Sequence, residues 1–128
     1  MAGELILIVE DNERNLKLGR DLLQFKGYRT LETSNAEEAL AVAAAELPHL
    51  ILMDIQLPGM DGVTALGRLR EDRRTASIPV VALTAFAMQA DRERFVQAGF
   101  DGYLMKPIDV RQFPEQVRRY CERAGKEG

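Results

Sequence analysis

The segment from Leu50 to Gly62 reads LILMDIQLPGMDG, and its two halves ask for different surroundings. Leu50-Ile51-Leu52-Met53 is an unbroken apolar run, as expected of a strand covered on both faces. Asp54 ends that run with a carboxylate, and a helix follows Asp61-Gly62. An apolar strand that delivers an acid to its carboxyl end and returns through a helix is the repeating unit of a parallel sheet.

The same unit recurs on either side. Upstream, Leu5–Val9 is a second apolar run, followed at once by Glu10 and Asp11. Tyr28–Thr33 is more polar, with Arg29 and Glu32 inside it, which places it nearer a sheet edge. Downstream, Ile78–Leu83 reads as a buried strand, and a short strand Gly102–Met105 precedes Lys106-Pro107. Helical patterns fill the gaps. Asn12 can cap a helix carrying Leu16, Leu22 and Leu23 and stopped by Gly27, and Asn35 can cap Ala36–Glu46, which Pro48 terminates. A third helix follows Gly62 with Val63, Leu66 and Leu69 at helical spacing, and a fourth runs from about Ala87 to Ala98 before Gly99. A fifth follows Asp109, with Val110, Phe113, Val117 and Tyr120 in one stripe; Pro114 requires it to start late or lose a bond near its start. The expectation is an α/β fold, a doubly wound five-stranded parallel sheet in a single domain over 1–128, with a core at about 4–123 and a flexible C-terminal tail.

Composition narrows the class. With 46% hydrophobic residues in 128, the chain suits one globular core and not a disordered or fibrous state. A net charge of -3 offers no electrostatic footprint for nucleic acid. The basic group Arg68, Arg70, Arg73 and Arg74 lies beside Glu71 and Asp72 and reads as a solvated helix end. Cys121 is the only cysteine, so no internal disulfide forms, and the apolar stretch near the N-terminus is too short for a signal core or a membrane span. A cytoplasmic protein that does not insert into membranes is expected. His49 follows Pro48 at a strand entrance and reads as a surface residue; Cys121 reads as a packing residue.

In an open parallel sheet, sites form outside the carboxyl ends of the strands. Those ends deliver Glu10 and Asp11, then Asp54, Thr84 and Lys106. Isolated acids at strand ends are commonly solvated loop residues, but the convergence of all five side chains on one rim calls for another explanation. Clustered carboxylates repel, and a divalent cation relieves the repulsion; an oxygen-only site suits Mg²⁺, with Mn²⁺ as a substitute. A carboxylate beside that cation can attack phosphorus, with Lys106 and Thr84 contacting the phosphoryl oxygens.

These residues carry a family resemblance. Val9-Glu10-Asp11-Asn12, the stretch Leu52–Gly62, Leu83-Thr84-Ala85 and Lys106-Pro107, in this order and each at a strand end, resemble a response-regulator receiver domain over essentially the whole chain. The resemblance implies a flavodoxin-like (βα)5 fold with strand order 2-1-3-4-5. It implies that Asp54 is the phosphoacceptor and that Glu10, Asp11, Asp54 and the backbone carbonyl of Gln56 hold Mg²⁺. Glu10 stands where an aspartate is common, so it is expected to bind through water and Asp11 directly. Thr84 and Tyr103 are the implied switch pair. Gln56 and Phe86 are the positions that tune phosphate lifetime, and Phe86, which cannot position a water, implies self-dephosphorylation that is not especially fast. Phe86, Met88 and Tyr103 are the partner-facing candidates. The implied phosphodonor is a histidine kinase or a histidine phosphotransfer protein, and the implied output is binding to a downstream protein.

Within the family, Asn12-Glu13-Arg14-Asn15 and Thr84-Ala85-Phe86-Ala87-Met88 are similar to cell-cycle regulators of the DivK type, and related strings occur in the receivers of hybrid kinases. The expectation is therefore a stand-alone response regulator, and not a turnover enzyme. An aspartyl-phosphate phosphatase of the haloacid-dehalogenase type is the rival, but it would need an acid where Gln56 stands. A flavin carrier would need phosphate donors where Glu10-Asp11 would repel.

Overall fold

A computed structural model describes residues 3–85 and 89–127 of the chain. Along it run β1 (Leu5–Val9), α1 (Glu13–Phe25), β2 (Arg29–Thr33), α2 (Ala36–Glu46), β3 (Leu50–Asp54), α3 (Gly62–Glu71), β4 (Val80–Thr84), α4 (Gln89–Ala98), β5 (Gly102–Met105) and α5 (Phe113–Glu127). All pairings are parallel, and the strands lie in the order β2-β1-β3-β4-β5. The unbroken apolar runs occupy the middle of the sheet: every residue of β3 and β4 is buried. The polar strand β2 is an edge, as its Arg29 and Glu32 require.

Alternate residues of each strand feed two separate cores. Leu7, Val9, Ile51, Met53, Val80 and Ala82 face α2, α3 and α4, where Ala39, Leu66, Leu69 and Phe95 close over them. Ile6, Ile8, Leu50, Leu52, Val81 and Leu83 face α1 and α5 through Leu23, Phe113 and Val117. Each fully buried Leu or Phe contributes roughly 1.5–3 kcal/mol relative to exposure. Asn12 and Asn35 cap α1 and α2 as expected, and Asp61 caps α3. Their side chains accept from the backbone N–H groups of Asn15, Glu38 and Thr64.

Several boundaries differ from the sequence expectation. β4 begins at Val80 and not at Ile78, because Pro79 has no N–H to give the ladder. Tyr28 precedes β2 and closes the turn after α1, its N–H donating to the Leu23 carbonyl at 3.1 Å. Val110 lies before α5 and is 55% exposed, so it takes no part in the apolar stripe; Val63, at the solvent side of the first turn of α3, is also exposed. The late start of α5 at Phe113 puts Pro114 in the first turn, where its missing N–H costs nothing. The same helix continues through Glu127, so helical backbone occupies most of the expected tail.

Arg70 is not a solvated helix end. Its guanidinium donates to the carbonyls of Ala76 (3.0 Å), Ile78 (2.6 Å) and Gly99 (3.3 Å) and to Asp101 Oδ2 (2.9 Å). That same carboxylate oxygen accepts from the backbone N–H of Val80 at 2.7 Å. The last turn of α3 is thereby tied to the entrances of β4 and β5. His49 is likewise structural: its Nδ1 accepts from the Leu5 N–H at 3.0 Å.

Candidate functional site

The parallel sheet brings the carboxyl ends of β1, β3, β4 and β5 to one rim. Asp54, the last residue of the central strand, is only 2% exposed. Its Oδ1 accepts from the backbone N–H of Gln56 at 2.9 Å, and its Oδ2 accepts from Lys106 Nζ at 2.7 Å. Lys106 follows β5 and is carried toward β4 by its own N–H, which donates to the Thr84 carbonyl at 2.8 Å. The Lys106-Pro107 peptide bond is cis.

Glu10 is buried to the same degree as Asp54. Its Oε1 accepts from the N–H of Asn12 at 3.3 Å and from Asn15 Nδ2 at 3.4 Å. Lys106 Nζ lies 3.1 Å from its Oε2, close enough to pair in charge, yet no donor among the described residues is aligned for a hydrogen bond to that oxygen. Asp11 stands exposed at the mouth. One carboxylate oxygen from each of Glu10, Asp11 and Asp54 can be chosen so that all three lie within 4.8 Å of one another.

The charge balance of this cluster is uneven. Three acids face one ammonium, and two of the acids are out of water. Burial, reinforced by the neighbouring Asp54, pushes the Glu10 carboxyl above its ordinary value. Burial works against the charged form of Lys106 as well, but hydrogen bonds and charges from Asp54 and Glu10 outweigh it and hold the ammonium above its ordinary value. An all-oxygen donor set with excess negative charge and an unaligned buried oxygen fits a hard divalent cation.

Thr84 is buried at the end of β4. It follows Val80 and Ala82 on the sheet face covered by α3 and α4. Tyr103 pairs with Ala82 across β4 and β5 and packs half-buried on that same face, with the Arg92 guanidinium 5.4 Å from its ring centre. Gln56 is exposed beside the site. Phe86 and Met88 lie outside the described residues. The sequence reading missed Asn15, whose amide reaches Glu10 from the first turn of α1; its position one turn into a capped helix was the available signal.

A buried aspartate at the end of the central strand, an acidic pair just after β1, a threonine on β4 and a lysine after β5 define a class. The chain belongs to the response regulator receiver domain family, whose model matches residues 6–118. Its particular likeness is to the polar-differentiation response regulator DivK. The match to that protein of Brucella anthropi is 49% identical over 115 residues, covering 90% of this chain and 94% of the relative, and the Brucella ovis protein is 48% identical over the same length. Among solved structures, a CheY-like receiver domain from Methanospirillum hungatei superposes with a TM-score of 0.88 at 31% identity, covering 99% of this chain and 100% of that one. The receiver domain of a Pseudomonas aeruginosa sensor histidine kinase, solved with a magnesium ion coordinated in its active-site cleft, gives a TM-score of 0.85 at 36% identity over 94% of this chain and 99% of its own. Receiver domains bind Mg²⁺ in an acidic pocket, and Glu10, Asp11 and Asp54 form such a pocket here. Among the described residues no helix is long and apolar enough to cross a membrane.

Proposed function

We propose that the chain is a phosphorelay response regulator that takes a phosphoryl group on Asp54 from a histidine kinase or a histidine phosphotransfer protein. The observation that carries this reading is the Asp54 carboxylate, buried at the end of the central strand and joined to Lys106 Nζ at 2.7 Å, within reach of two further carboxylates. Glu10, Asp11, Asp54 and the Gln56 carbonyl would hold Mg²⁺, or Mn²⁺ in its place, with Asp11 binding directly and Glu10 through water. The cation, when bound, supplies positive charge to the transferring oxygens.

The chain's own residues do the rest. An Asp54 carboxylate oxygen attacks phosphorus; the P–N bond of the phosphohistidine breaks, and its electron pair stays on the imidazole nitrogen, which takes up a proton. Lys106 pairs with one phosphoryl oxygen in exchange for its present contact with Asp54, and Thr84 donates its hydroxyl to another. Turning of the Thr84 side chain toward the phosphoryl group opens space on the face that Tyr103 shares, and the ring moves inward. That rearrangement presents a new surface to a downstream protein, with Phe86, Met88 and Tyr103 as the partner-facing residues. Gln56 and Phe86 set the lifetime of the phosphoryl group.

On this reading the chain is a receiver domain that works in the cytoplasm without turning over a substrate or binding nucleic acid. Its likeness to DivK points to control of cell polarity or division. Labelling from a phosphohistidine donor tests the chemistry. The label should be stable in mild acid yet released by hydroxylamine, as an acyl phosphate is; a hydroxylamine-stable label would identify a hydroxyl acceptor and overturn the assignment.

A further inference from the structure

Gly62 opens α3, where helix formation itself places no demand for glycine. Its backbone sits hard against the end of β3. A methyl group built on it would lie 2.6 Å from the Asp54 carbonyl oxygen, 3.1 Å from the Ile55 Cα and 3.3 Å from the Asp54 carbonyl carbon. Every one of these atoms is main chain, so no side chain can swing aside to make room. The Gly62 N–H also donates to the Ile55 carbonyl at 3.2 Å, which closes the loop 55–62 onto its own start.

Neither side of this contact yields easily. Asp54 pairs with Leu83 of β4, and the residues before it pair with β1 as well as β4. On the other side, Ala65, Leu66 and Leu69 anchor α3 in the core beneath the sheet. Displacement caused by a larger residue would therefore fall on Ile55 and Gln56. Gln56 supplies the N–H that fixes Asp54 Oδ1, so the carboxylate would turn with it.

We infer that Gly62 is a positioning residue for the Asp54 carboxylate: the absent side chain lets α3 start close enough to hold the Asp54–Gln56 backbone in the geometry that both cation binding and phosphoryl acceptance need. The inference rests on the proposed role of Asp54 and extends it to a residue that touches no ligand. Gly67 is the internal comparison, since a methyl group there would meet nothing within 4 Å and would only favour the helix.

The test compares the parent, Gly62→Ala, Gly67→Ala and the double variant at a temperature where circular dichroism shows the folded state. Two quantities are read: Mg²⁺ affinity by calorimetry, and the rate of phosphorylation by acetyl phosphate. Gly67→Ala should match the parent in both. Gly62→Ala, and the double variant in which Gly67→Ala offsets lost stability, should bind Mg²⁺ at least fivefold more weakly and take up phosphate at least tenfold more slowly. A Mg²⁺ affinity within twofold of the parent overturns the inference whatever the rate does. Failure of the double variant to fold also overturns it, because the close approach would then serve folding and not positioning. If the parent itself takes up no phosphate, the proposed function fails instead, and the Mg²⁺ arm alone decides the role of Gly62.

Discussion

The two ends of the sheet each hold a charged cluster, and they are built on opposite plans. At the amino end, Arg70 and Asp101 pair one to one, and both also bond to backbone groups, of Ala76, Ile78 and Gly99 for Arg70 and of Val80 for Asp101. At the carboxyl end, Glu10, Asp11 and Asp54 outnumber Lys106, and a buried Glu10 oxygen has no aligned donor among the described residues. A balanced cluster whose partners are backbone atoms holds the fold together. An unbalanced one is poised for something that is not part of the chain. Charge on its own does not distinguish the two; the difference lies in what each charge is matched to.

Substitution should expose the contrast. Arg70→Ala strands two or more carbonyls and removes the charge partner of Asp101, and urea unfolding should show a loss of roughly 2 kcal/mol, with Mg²⁺ affinity unchanged. Glu10→Gln should do the reverse. It relieves the repulsion with Asp54, so the metal-free protein gains about 1 kcal/mol, while Mg²⁺ binding weakens more than tenfold. If both substitutions destabilise equally, the comparison is broken.

A smaller effect is expected at alkaline pH. Burial pushes the Tyr28 hydroxyl up to about 12 and the Cys121 thiol up to about 11, from ordinary values of 10.0 and 9.0. Both groups keep their protons longer folded than unfolded. Their contribution is whole below the ordinary values and is lost as pH rises through the folded ones, so stability should decline from about pH 9 toward 12. At pH 8 the Cys121 thiol should react slowly with alkylating reagents in the folded protein and readily in urea. Fast labelling of the folded form would show that the packing of α5 against the sheet does not cover it.

Much of the carboxyl end was legible in the sequence because its chemistry sits where strands stop. Apolar runs ending in Glu10, Asp54 and Thr84 state both the element and the site in a few adjacent residues. The polar content of Tyr28–Thr33 likewise foretold an edge strand. The amino-end cluster was not legible. Arg70 and Asp101 are 31 residues apart, and their link depends on how α3 crosses the sheet, which no local pattern records. Val110 looked like core by spacing, but the period continued past the point where the helix begins. Gly62 was read only as a helix start; that its hydrogen faces the Asp54 carbonyl is a fact of packing between two elements.

Intact-mass measurement after incubation with acetyl phosphate, with and without Mg²⁺, tests the central claim most directly. The parent should gain the mass of one phosphoryl group only when Mg²⁺ is present, and Asp54→Asn should gain none. A stable gain in Asp54→Asn equal to that of the parent would contradict the assignment of Asp54.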